Sequence, residues 1–469
     1  MLPVLKRSSG VPLHEQLYDF YRKGIVSRRL RKNYRLPSVR KSAADLGISN
    51  NTVIRAYQQL SDEGFIMGRP KKGLFVQEPA SYQIGLTQSQ PTGKTRRIST
   101  ATTRKLISIM PSTINEESFP LHAWRKAQQL ALDSLHFQYD HDDSQSGLKD
   151  QLVKYLFYSR GVIAKSDQLV FSAGTNQMLS LLAILLQNRY DTLVVEEPGY
   201  ERARMIFSLF KYKIETIPVN HSGIDISRLK DRKRQLLYIT PSHQYPTGAI
   251  MPVDNRLRLI QWAEKSGSYI IEDDYESEFR YSSKPIPALQ GIDMSGQVIY
   301  IGTFSKILLP SLRVAYAVLP ERLLESFTPL RYFAYSVPYQ VQRALAIFME
   351  KGYWEKHVRR MQKIYKEKYF LTIKNVKKIL ADKVTVINLD AGLSILIEIR
   401  TSLSGPELVE RARKHNILMK GAEDTYFDVK NRSRYPRVFV GFGNLDNNAI
   451  PVVINALKEA WFGDAGKPS

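Results

Sequence analysis

Lys306 lies in a small polar cluster that follows an apolar run ending at Gly302, in the stretch YIGTFSKILLPSLRVAY, residues 300–316. A lysine that is held away from solvent can lose its proton and form an imine with an aldehyde. Thr303 and Ser305 precede this lysine and Arg313 follows it by seven residues, and hydroxyl groups beside an arginine suit a phosphate. Taken alone, Lys306 is more typical of a solvated surface lysine, so the chemistry depends on what else lies near it.

Two further groups complete this chemistry. Asp273 ends the stretch GSYIIED, and a carboxylate set against a pyridine nitrogen keeps that nitrogen protonated, which makes the ring an electron sink. Gly174 and Thr175 open a predicted helix after the strand DQLVFS, and a helix N-terminus presents free N–H groups to anions. Asp273 alone is typical of a capping or salt-bridge residue, and the glycine and threonine alone of a plain helix cap. Together with the lysine, these groups indicate pyridoxal 5'-phosphate.

The elements that must position these residues are apolar runs of strand length, which alternate with helical stretches from about residue 107 to 469. Continuous apolar runs are typical of strands buried on both faces of a mostly parallel sheet. Polar groups follow four of these runs, at Tyr200, His243, Asp273 and Lys306. Because ligands bind outside the carboxyl ends of parallel strands, we expect one convergent site at this edge of a large α/β domain.

Composition and charge limit the class of protein. The 469 residues are 43% apolar and 24% charged, as in soluble globular proteins. The absence of cysteine excludes disulfides, thiolate metal sites and cysteine nucleophiles, and the eight histidines are scattered, so we expect no metal site. No apolar run approaches the length of a membrane span and the N-terminus does not resemble a signal peptide, so we expect a cytoplasmic protein with no membrane partner.

Residues 1–77 carry a concentrated positive charge. They hold 15 Lys and Arg against 5 Asp and Glu, which is +10 of the formal net charge of +23. Such a surplus in a small domain favours contact with a phosphate backbone, although a merely basic surface is the alternative. Residues 78–106 are rich in Ser, Thr, Gln, Pro and Gly without periodicity, and they predict a flexible linker between this domain and the large domain at 107–469.

The stretch LPSVRKSAADLGISNNTVIRAYQQLSDEGFI predicts two helices joined by a tight turn. Ser38 and Ser49 are placed to cap their N-termini, and Gly47 and Gly64 to end them. Two short strands around the basic turn at 69–73 follow and form a wing. A preceding amphipathic helix is expected to pack the unit with Leu13, Leu17, Phe20, Tyr21 and Ile25.

The second helix is expected to have a buried and an exposed face. Its buried residues fall at i, i+3, i+4 and i+7, namely Val53, Ala56, Tyr57 and Leu60. Its first turn exposes short hydrogen-bonding side chains, which fit the major groove of DNA. A small helical cap without a ligand is the alternative, but the turn residues, the polar tip and the wing all favour DNA binding.

This N-terminal stretch resembles the winged helix-turn-helix of the GntR regulators. The resemblance implies that double-stranded DNA is a partner. It places three groups of residues against the DNA, at the start of the first helix, in the second helix and in the wing: Arg40; Asn50, Asn51, Thr52 and Arg55; and Lys71, Lys72 and Gly73.

Residues 107–465 resemble the fold-type I aminotransferases, which have a large α/β domain with a mostly parallel central sheet. The resemblance rests on SAGT, EEPGY, PSHQYPTG, EDDYESEFRY, GTFSKILLPSLRVAY and RVFVGFGN. It implies that Lys306 forms the imine with the cofactor and that Asp273 pairs with the pyridine nitrogen. It also implies that Tyr275 bonds the ring oxygen and that Tyr200 stacks on the ring. The phosphate is implied to bind Gly174, Thr175, Thr303, Ser305 and Arg313.

The same resemblance implies an effector site. Arg437 would bind the carboxylate of an amino acid, with a surface arginine at the sheet edge as the alternative. Arg202 is a second candidate for an acidic group, and His243 is assigned to the same site. Aminotransferases commonly carry Asn-Pro-Thr-Gly, whose Asn bonds the ring oxygen, but this chain has Tyr245 in that place. The difference argues against efficient transamination, unless His243 or Tyr275 compensates.

Joined in this order, the two parts resemble the MocR/GabR group of GntR-type regulators. The resemblance implies a transcription regulator that senses an amine, an amino acid or the cofactor itself and controls a metabolic gene. It also implies a homodimer, because fold-type I sites borrow residues from a second subunit. The alternative is an active class I/II aminotransferase with an appended DNA-binding module. A GntR regulator with a small acid-binding domain is disfavoured, because that domain would be shorter and would not need Lys306.

Overall fold

The computed structural model of the chain describes residues 3, 5–6, 10–70, 72–77, 106–111, 113–134, 146–229, 233–281, 286–334, 337–387 and 391–463. The chain divides into two compact units, Met1–Ala101 and Thr102–Ser469. The predicted linker at 78–106 lies outside the described residues except for Leu106, and so does Lys71 of the predicted wing.

The smaller unit consists of three helices followed by a two-stranded antiparallel sheet. These elements are α1 (Leu13–Val26), α2 (Val39–Leu46), α3 (Asn50–Asp62), β1 (Ile66–Arg69) and β2 (Gly73–Val76). The predicted caps are confirmed, since the Ser38 side chain accepts from the Lys41 N–H and that of Ser49 from the Thr52 N–H. Gly47 and Gly64 adopt left-handed φ angles of 61° and 74°, as the predicted helix ends require.

The core of the smaller unit follows the predicted pattern. The four residues predicted for the buried face of α3 are all buried. In α1, Leu17, Tyr21 and Ile25 are buried, whereas Leu13 and Phe20 are only partly buried. The difference is small and has a simple cause, because a helix on one side of a three-helix core covers only a narrow stripe of its surface.

The larger unit contains eleven more described helices and fourteen more described strands. Its helices are α4 (Leu121–Leu132), α5 (Leu148–Arg160), α6 (Thr175–Leu186), α7 (Glu201–Leu209), α8 (Val253–Ser266), α9 (Glu321–Phe327), α10 (Arg331–Ala334), α11 (Tyr339–Glu350), α12 (Tyr353–Ile379), α13 (Gly405–Lys414) and α14 (Ala449–Phe462). Its strands are β3 (Ile107–Ser108), β4 (Leu169–Ser172), β5 (Thr192–Glu197), β6 (Lys213–Asn220), β7 (Gly223–Ile224), β8 (Leu236–Ile239), β9 (Tyr269–Asp273), β10 (Val298–Thr303), β11 (Ala315–Val318), β12 (Val384–Val386), β13 (Ser394–Ile399), β14 (Ile417–Leu418), β15 (Lys420–Gly421) and β16 (Arg437–Gly441).

The central sheet has eight strands in the order β4-β11-β10-β9-β8-β5-β6-β7. The strands β10, β9, β8, β5 and β6 pair in parallel, and β11 and β7 are antiparallel to their neighbours. Because β11 lies antiparallel to both β10 and β4, the strand β4 runs in the same direction as the parallel set. The carboxyl ends of β4, β5, β8, β9 and β10 therefore meet at one edge, which confirms the predicted mostly parallel α/β fold.

A second, antiparallel sheet in the order β12-β13-β16-β15 forms the C-terminal part of the larger unit. It packs with α12, α13 and α14 into the same hydrophobic cluster that lines one side of the central sheet. This arrangement brings the C-terminal strands close to the carboxyl edge of the central sheet. Among the helices in the described ranges, none combines the length and apolar character needed to cross a bilayer.

Candidate functional site

A cavity of about 330 Å³ lies at the carboxyl edge of the central sheet. Ten of the twelve residues predicted for the cofactor and effector line it: Lys306, Asp273, Tyr275, Tyr200, Thr175, Thr303, Ser305, Arg313, Arg202 and His243. Gly174 and Arg437 are the two that do not. Cavities of this volume hold small cofactors and metabolites, so ten predicted residues that are spread along the sequence from Thr175 to Arg313 form one site.

Lys306 lies in the loop that joins β10 to β11. Thr303 at the end of β10 pairs with Ala315 at the start of β11, so the loop leaves and re-enters the sheet at the same edge. The Phe304 N–H donates to the Val314 carbonyl at 3.0 Å, which closes the base of the loop. The Lys306 side chain is 24% exposed, and its Nζ lies 3.0 Å from Glu276 Oε1. The lysine is thus held at the cavity wall instead of extending into bulk water.

One end of the cavity combines several groups that suit an anion. Gly174 precedes α6 with a φ of +93°, and a Cβ at this position would lie 2.2 Å from Arg313 Nη2. The guanidinium of Arg313 therefore packs directly against the N-terminal turn of α6, and only glycine permits this approach. The buried Ser305 Oγ has no hydrogen-bond partner among the described residues. A helix N-terminus, an arginine and an unsatisfied hydroxyl together fit a phosphate.

Asp273 supplies a buried carboxylate on the opposite side. Its Oδ2 accepts a hydrogen bond from the hydroxyl of Tyr238, on the neighbouring strand β8, at 2.5 Å. Burial raises the pKa of Asp273 to about 6, although the Tyr238 hydrogen bond and the charge of Lys306 act to lower it. An anion in so dry a place is stabilised by a cationic partner, which a protonated pyridine nitrogen would provide.

The position of Asp273 is fixed by its neighbour. Asp274 forms a buried ion pair with Arg160 at the end of α5, with Nε to Oδ2 at 2.7 Å. The same guanidinium donates to Ser242 Oγ at 2.8 Å, and the Tyr300 hydroxyl donates to Asp274 Oδ2 at 2.6 Å. These bonds connect the end of β9 to α5, β10 and the turn after β8, so the strand end that carries Asp273 has little freedom.

Aromatic rings form the remaining wall. Tyr200 stacks with Tyr238 at 6.3 Å between ring centroids and meets Tyr245 edge-on at 5.9 Å. Tyr245 stacks in turn on Phe439 of β16, with an interplanar angle of 12°. His243 lies 5.7 Å from the ring of Tyr275. The tyrosine that replaces the usual asparagine is therefore a packed wall residue, and it joins the central sheet to the C-terminal sheet.

Arg437 lies outside the cavity lining and is bonded to two residues of the C-terminal part. Its Nε donates to Glu398 Oε2 at 2.9 Å and its Nη1 to the Tyr426 hydroxyl at 3.0 Å. Phe439, which does line the cavity, is two residues further along the same strand, so both side chains are on one face of the sheet. Arg202 is exposed at the start of α7 and lines the cavity mouth.

Sequence reasoning missed several residues of this site. Glu276 lies in the motif EDDYESEFRY and Tyr238 in the apolar strand before PSHQYPTG, but neither was assigned a role. Asn176, beside the predicted phosphate residues, also lines the cavity, as do Glu201 and Lys420, which form an ion pair with each other. For Tyr238, a hydroxyl in an otherwise apolar strand was the available signal, because a buried tyrosine needs a hydrogen-bond partner.

The exposed surface of the smaller unit carries the predicted DNA contacts. Arg40, Asn50, Asn51 and Arg55 are all exposed, at the start of α2 and on α3. Thr52 is half-buried, and its hydroxyl lies 2.9 Å from Ser49 Oγ, so it supports the helix cap.

The wing presents Lys72 and Gly73 to solvent. Two arginines beside the wing were not assigned from the sequence. The backbone of Arg35, before α2, forms an antiparallel β-bridge with Phe75 of the wing, and the guanidinium of Arg69 lies 4.6 Å from the centroid of the Phe75 ring. Both extend the basic surface of the wing.

Comparison with known proteins gives consistent matches over both units. Residues 13–76 match the family described as bacterial regulatory proteins, gntR family, and residues 111–434 match aminotransferase class I and II. The chain is 35% identical to the uncharacterized HTH-type transcriptional regulator YdeL of Bacillus subtilis, over 98% of this chain and 99% of that protein. It is 32% identical to the probable rhizopine catabolism regulatory protein MocR of Rhizobium meliloti, over 98% of this chain and 95% of that protein.

Solved structures share the fold of the larger unit. Kynurenine aminotransferase of Pyrococcus horikoshii superposes with a TM-score of 0.68 at 24% identity, over 76% of this chain and 91% of that chain. The shared part corresponds in length to the larger unit, and at this identity the likeness establishes the fold.

Proposed function

The chain belongs to the MocR/GabR group of GntR-type transcription regulators, which carry an aminotransferase class I and II domain, and from this membership we propose how it works. The larger unit binds pyridoxal 5'-phosphate and senses a small amine or amino acid, or the cofactor itself. The smaller unit binds double-stranded DNA at a metabolic gene, and the effector changes that binding. The observation that carries the proposal is that Lys306, Asp273 and Arg313 line one cavity.

The residues of the cavity have separate tasks in this proposal. When bound, pyridoxal 5'-phosphate supplies an aldehyde and an electron-withdrawing ring. Lys306 attaches it covalently, Asp273 keeps the ring nitrogen protonated, and Tyr200 and Tyr275 contact the ring. Gly174, Thr175, Thr303, Ser305 and Arg313 hold the phosphate, for which the unsatisfied Ser305 hydroxyl and the Gly174 turn are suited.

A working aminotransferase is the alternative function. Tyr245 supports the sensor, because a tyrosine packed on Phe439 occupies the place of the asparagine that fixes the ring oxygen in true aminotransferases. Proton transfer needs close alignment, and a misplacement of ~1 Å costs roughly a hundredfold in rate. Incubation with amino donors and a keto acid separates the two functions. The sensor yields at most one product equivalent per chain, whereas many equivalents would establish the enzyme.

We further propose that two copies associate, because sites of this fold class borrow residues from a second subunit. A dimer carries two winged domains and would contact two DNA half-sites.

Recognition of DNA is expected to divide between two kinds of residue. Asn51→Ala should reduce discrimination between the operator and random DNA by about 1–3 kcal/mol, because it removes a group suited to base edges. Arg40→Ala should weaken binding to all sequences and lower the salt slope of log K by about 1, because it removes a phosphate contact. Fluorescence anisotropy at several salt concentrations measures both effects.

The control for these two variants is Lys23→Ala, which removes a positive charge that is already paired with Asp19 on α1. It should change neither quantity. Equal loss of affinity for operator and random DNA in Asn51→Ala would show that α3 does not read the sequence.

The effector carboxylate is expected to bind Arg437. Arg437→Ala should weaken the binding of the effector by about 2 kcal/mol or more, roughly thirtyfold in affinity, because it removes a charge-assisted contact. The DNA response to effector should then disappear, while covalent cofactor binding stays intact, because the described side-chain bonds of Arg437 go to Glu398 and Tyr426, which are not among the proposed cofactor residues. The measurement is a thermal-shift titration with amino acids that stabilise the wild-type protein.

Arg434→Ala is the matched control, since this exposed arginine on the same segment stacks on Tyr435. An unchanged effector titration in Arg437→Ala would remove Arg437 from the effector site and leave Arg202 as the candidate.

A further inference from the structure

Glu276 is a buried carboxylate that the proposed function does not yet use. Its side chain is 5% exposed, and Oε1 lies 3.0 Å from Lys306 Nζ. Its other oxygen, Oε2, accepts a hydrogen bond from the Leu393 N–H at 3.1 Å. A Cβ at Gly392 would lie 2.6 Å from the same oxygen and 3.0 Å from His243 Nε2. The carboxylate is therefore held between the lysine and the chain that leads into β13.

Three carboxylates in the described residues line this cavity, and their partners differ. Glu201 pairs with Lys420, and Asp273 accepts from Tyr238. Asp273 is close enough for the charge of Lys306 to lower its pKa, but Glu276 is the one that forms an ion pair with the lysine. The charge of Glu276 is therefore matched to the lysine nitrogen itself.

The attraction between Glu276 and Lys306 depends on whether the lysine nitrogen is free or bound to the cofactor. A free lysine ammonium carries three protons and a full positive charge, and Glu276 Oε1, 3.0 Å from Nζ, lies where it stabilises that charge. A lysine nitrogen double-bonded to the cofactor aldehyde carbon would keep at most one of these protons, and any remaining positive charge would be shared with that carbon. The free lysine therefore gains more from this carboxylate than the bound lysine does.

The exchange of amines at the cofactor is balanced in atoms and charge. Between two neutral imines, an incoming ammonium would give up three protons as its nitrogen forms the C=N bond, and the C=N bond to Lys306 would break as Nζ takes up three protons. No electron is transferred to an outside acceptor. The positive charge moves from the effector nitrogen to Lys306, 3.0 Å from the waiting carboxylate.

We propose that Glu276 is a positioning residue that stabilises Lys306 in its released form, and that it thereby favours transfer of the covalent bond to an incoming amine. This inference rests on the proposed function. The contact gives the sensor a means of accepting amines readily. Through the Leu393 N–H, the same carboxylate also contacts the chain just before β13 of the C-terminal sheet.

Glu276→Gln tests this, because the amide keeps the shape and loses the charge. A carboxylate at this distance from a partly exposed lysine is expected to change each equilibrium by about tenfold. Protein stripped of cofactor should then capture pyridoxal 5'-phosphate about tenfold more tightly than wild type. Cofactor-loaded protein should need about tenfold more methylamine to release Lys306. The two midpoints are the concentration of pyridoxal 5'-phosphate that gives half-capture and the concentration of methylamine that gives half-release. Both are measured by borohydride trapping and the mass of the peptide that contains Lys306.

The opposite directions of the two changes identify the mechanism. Glu276→Asp keeps the charge and should leave both midpoints closer to wild type than Glu276→Gln does. Glu321→Gln, which breaks the exposed pair with Lys165, should leave both unchanged.

If Glu276→Gln raised both the pyridoxal 5'-phosphate concentration for half-capture and the methylamine concentration for half-release, the role of Glu276 would be merely structural and the inference would be overturned. Two unchanged concentrations would overturn it as well. A wild-type protein without any borohydride adduct at Lys306 would instead overturn the proposed function, and this inference with it.

Discussion

Lys306→Ala is expected to abolish covalent attachment of pyridoxal 5'-phosphate and, with it, any effect of an amine effector on DNA binding. The reason is that Lys306 Nζ is held at the wall of the cavity that Asp273 and Arg313 also line. Borohydride reduction followed by intact-mass analysis measures the adduct, which should fall from one per chain to none. DNA affinity without effector should persist, because the smaller unit has its own core.

Lys420→Ala is the matched control, because this second cavity lysine is paired with Glu201. It should retain the adduct on the peptide that contains Lys306. An adduct that persists in Lys306→Ala on another lysine would assign the attachment to that residue instead.

Arg160→Met is expected to destabilise the larger unit by about 3–5 kcal/mol, because it leaves the Asp274 carboxylate buried without its cation. Both side chains of this pair are 2% exposed, so water cannot replace the guanidinium. Urea denaturation of the full chain, monitored by a probe in the larger unit, measures the loss of free energy of unfolding. The variant should also bind the cofactor less tightly, because Asp273 and Tyr275 flank the freed aspartate.

The double variant Arg160→Met with Asp274→Asn separates charge from packing. Replacing the unpaired carboxylate by a neutral amide should recover part of the lost stability. A single variant that unfolds like wild type would mean that the ion pair does not hold the end of β9.

The sequence predicted the elements wherever the signal is local. The helices begin and end where the sequence predicted, at Ser38, Gly47, Ser49 and Gly64. These positions were predictable because a cap is made by residues only three or four positions away. The strand ends were also predictable, since polar residues interrupt strongly apolar runs. The family resemblance then supplied the roles of Lys306 and Arg313.

Contacts between distant parts of the chain were not predictable from a single sequence. Arg160 and Asp274 are 114 positions apart, and nothing local distinguishes this arginine from an ordinary helix-terminal cation. The pairing of Glu276 with Lys306 depends on the register between β9 and β10. Arg437 was assigned to an effector by family likeness, and its bond to Glu398 is a cross-strand pair that only the sheet register gives.

The closed loop between Thr303 and Ala315 affects binding through conformational entropy. It carries Lys306 and Arg313, the proposed covalent anchor and the proposed phosphate ligand, and its ends are joined by strand pairing and by the hydrogen bond from the Phe304 N–H to the Val314 carbonyl. Arg313 is also fixed at a φ of +51°, which few arginines adopt. The freedom of both anchors is thus lost during folding, so the ligand does not have to order them. Preorganisation of this kind raises affinity without adding a contact. Lengthening the loop between the two anchors would therefore weaken binding even if every contacting side chain were kept.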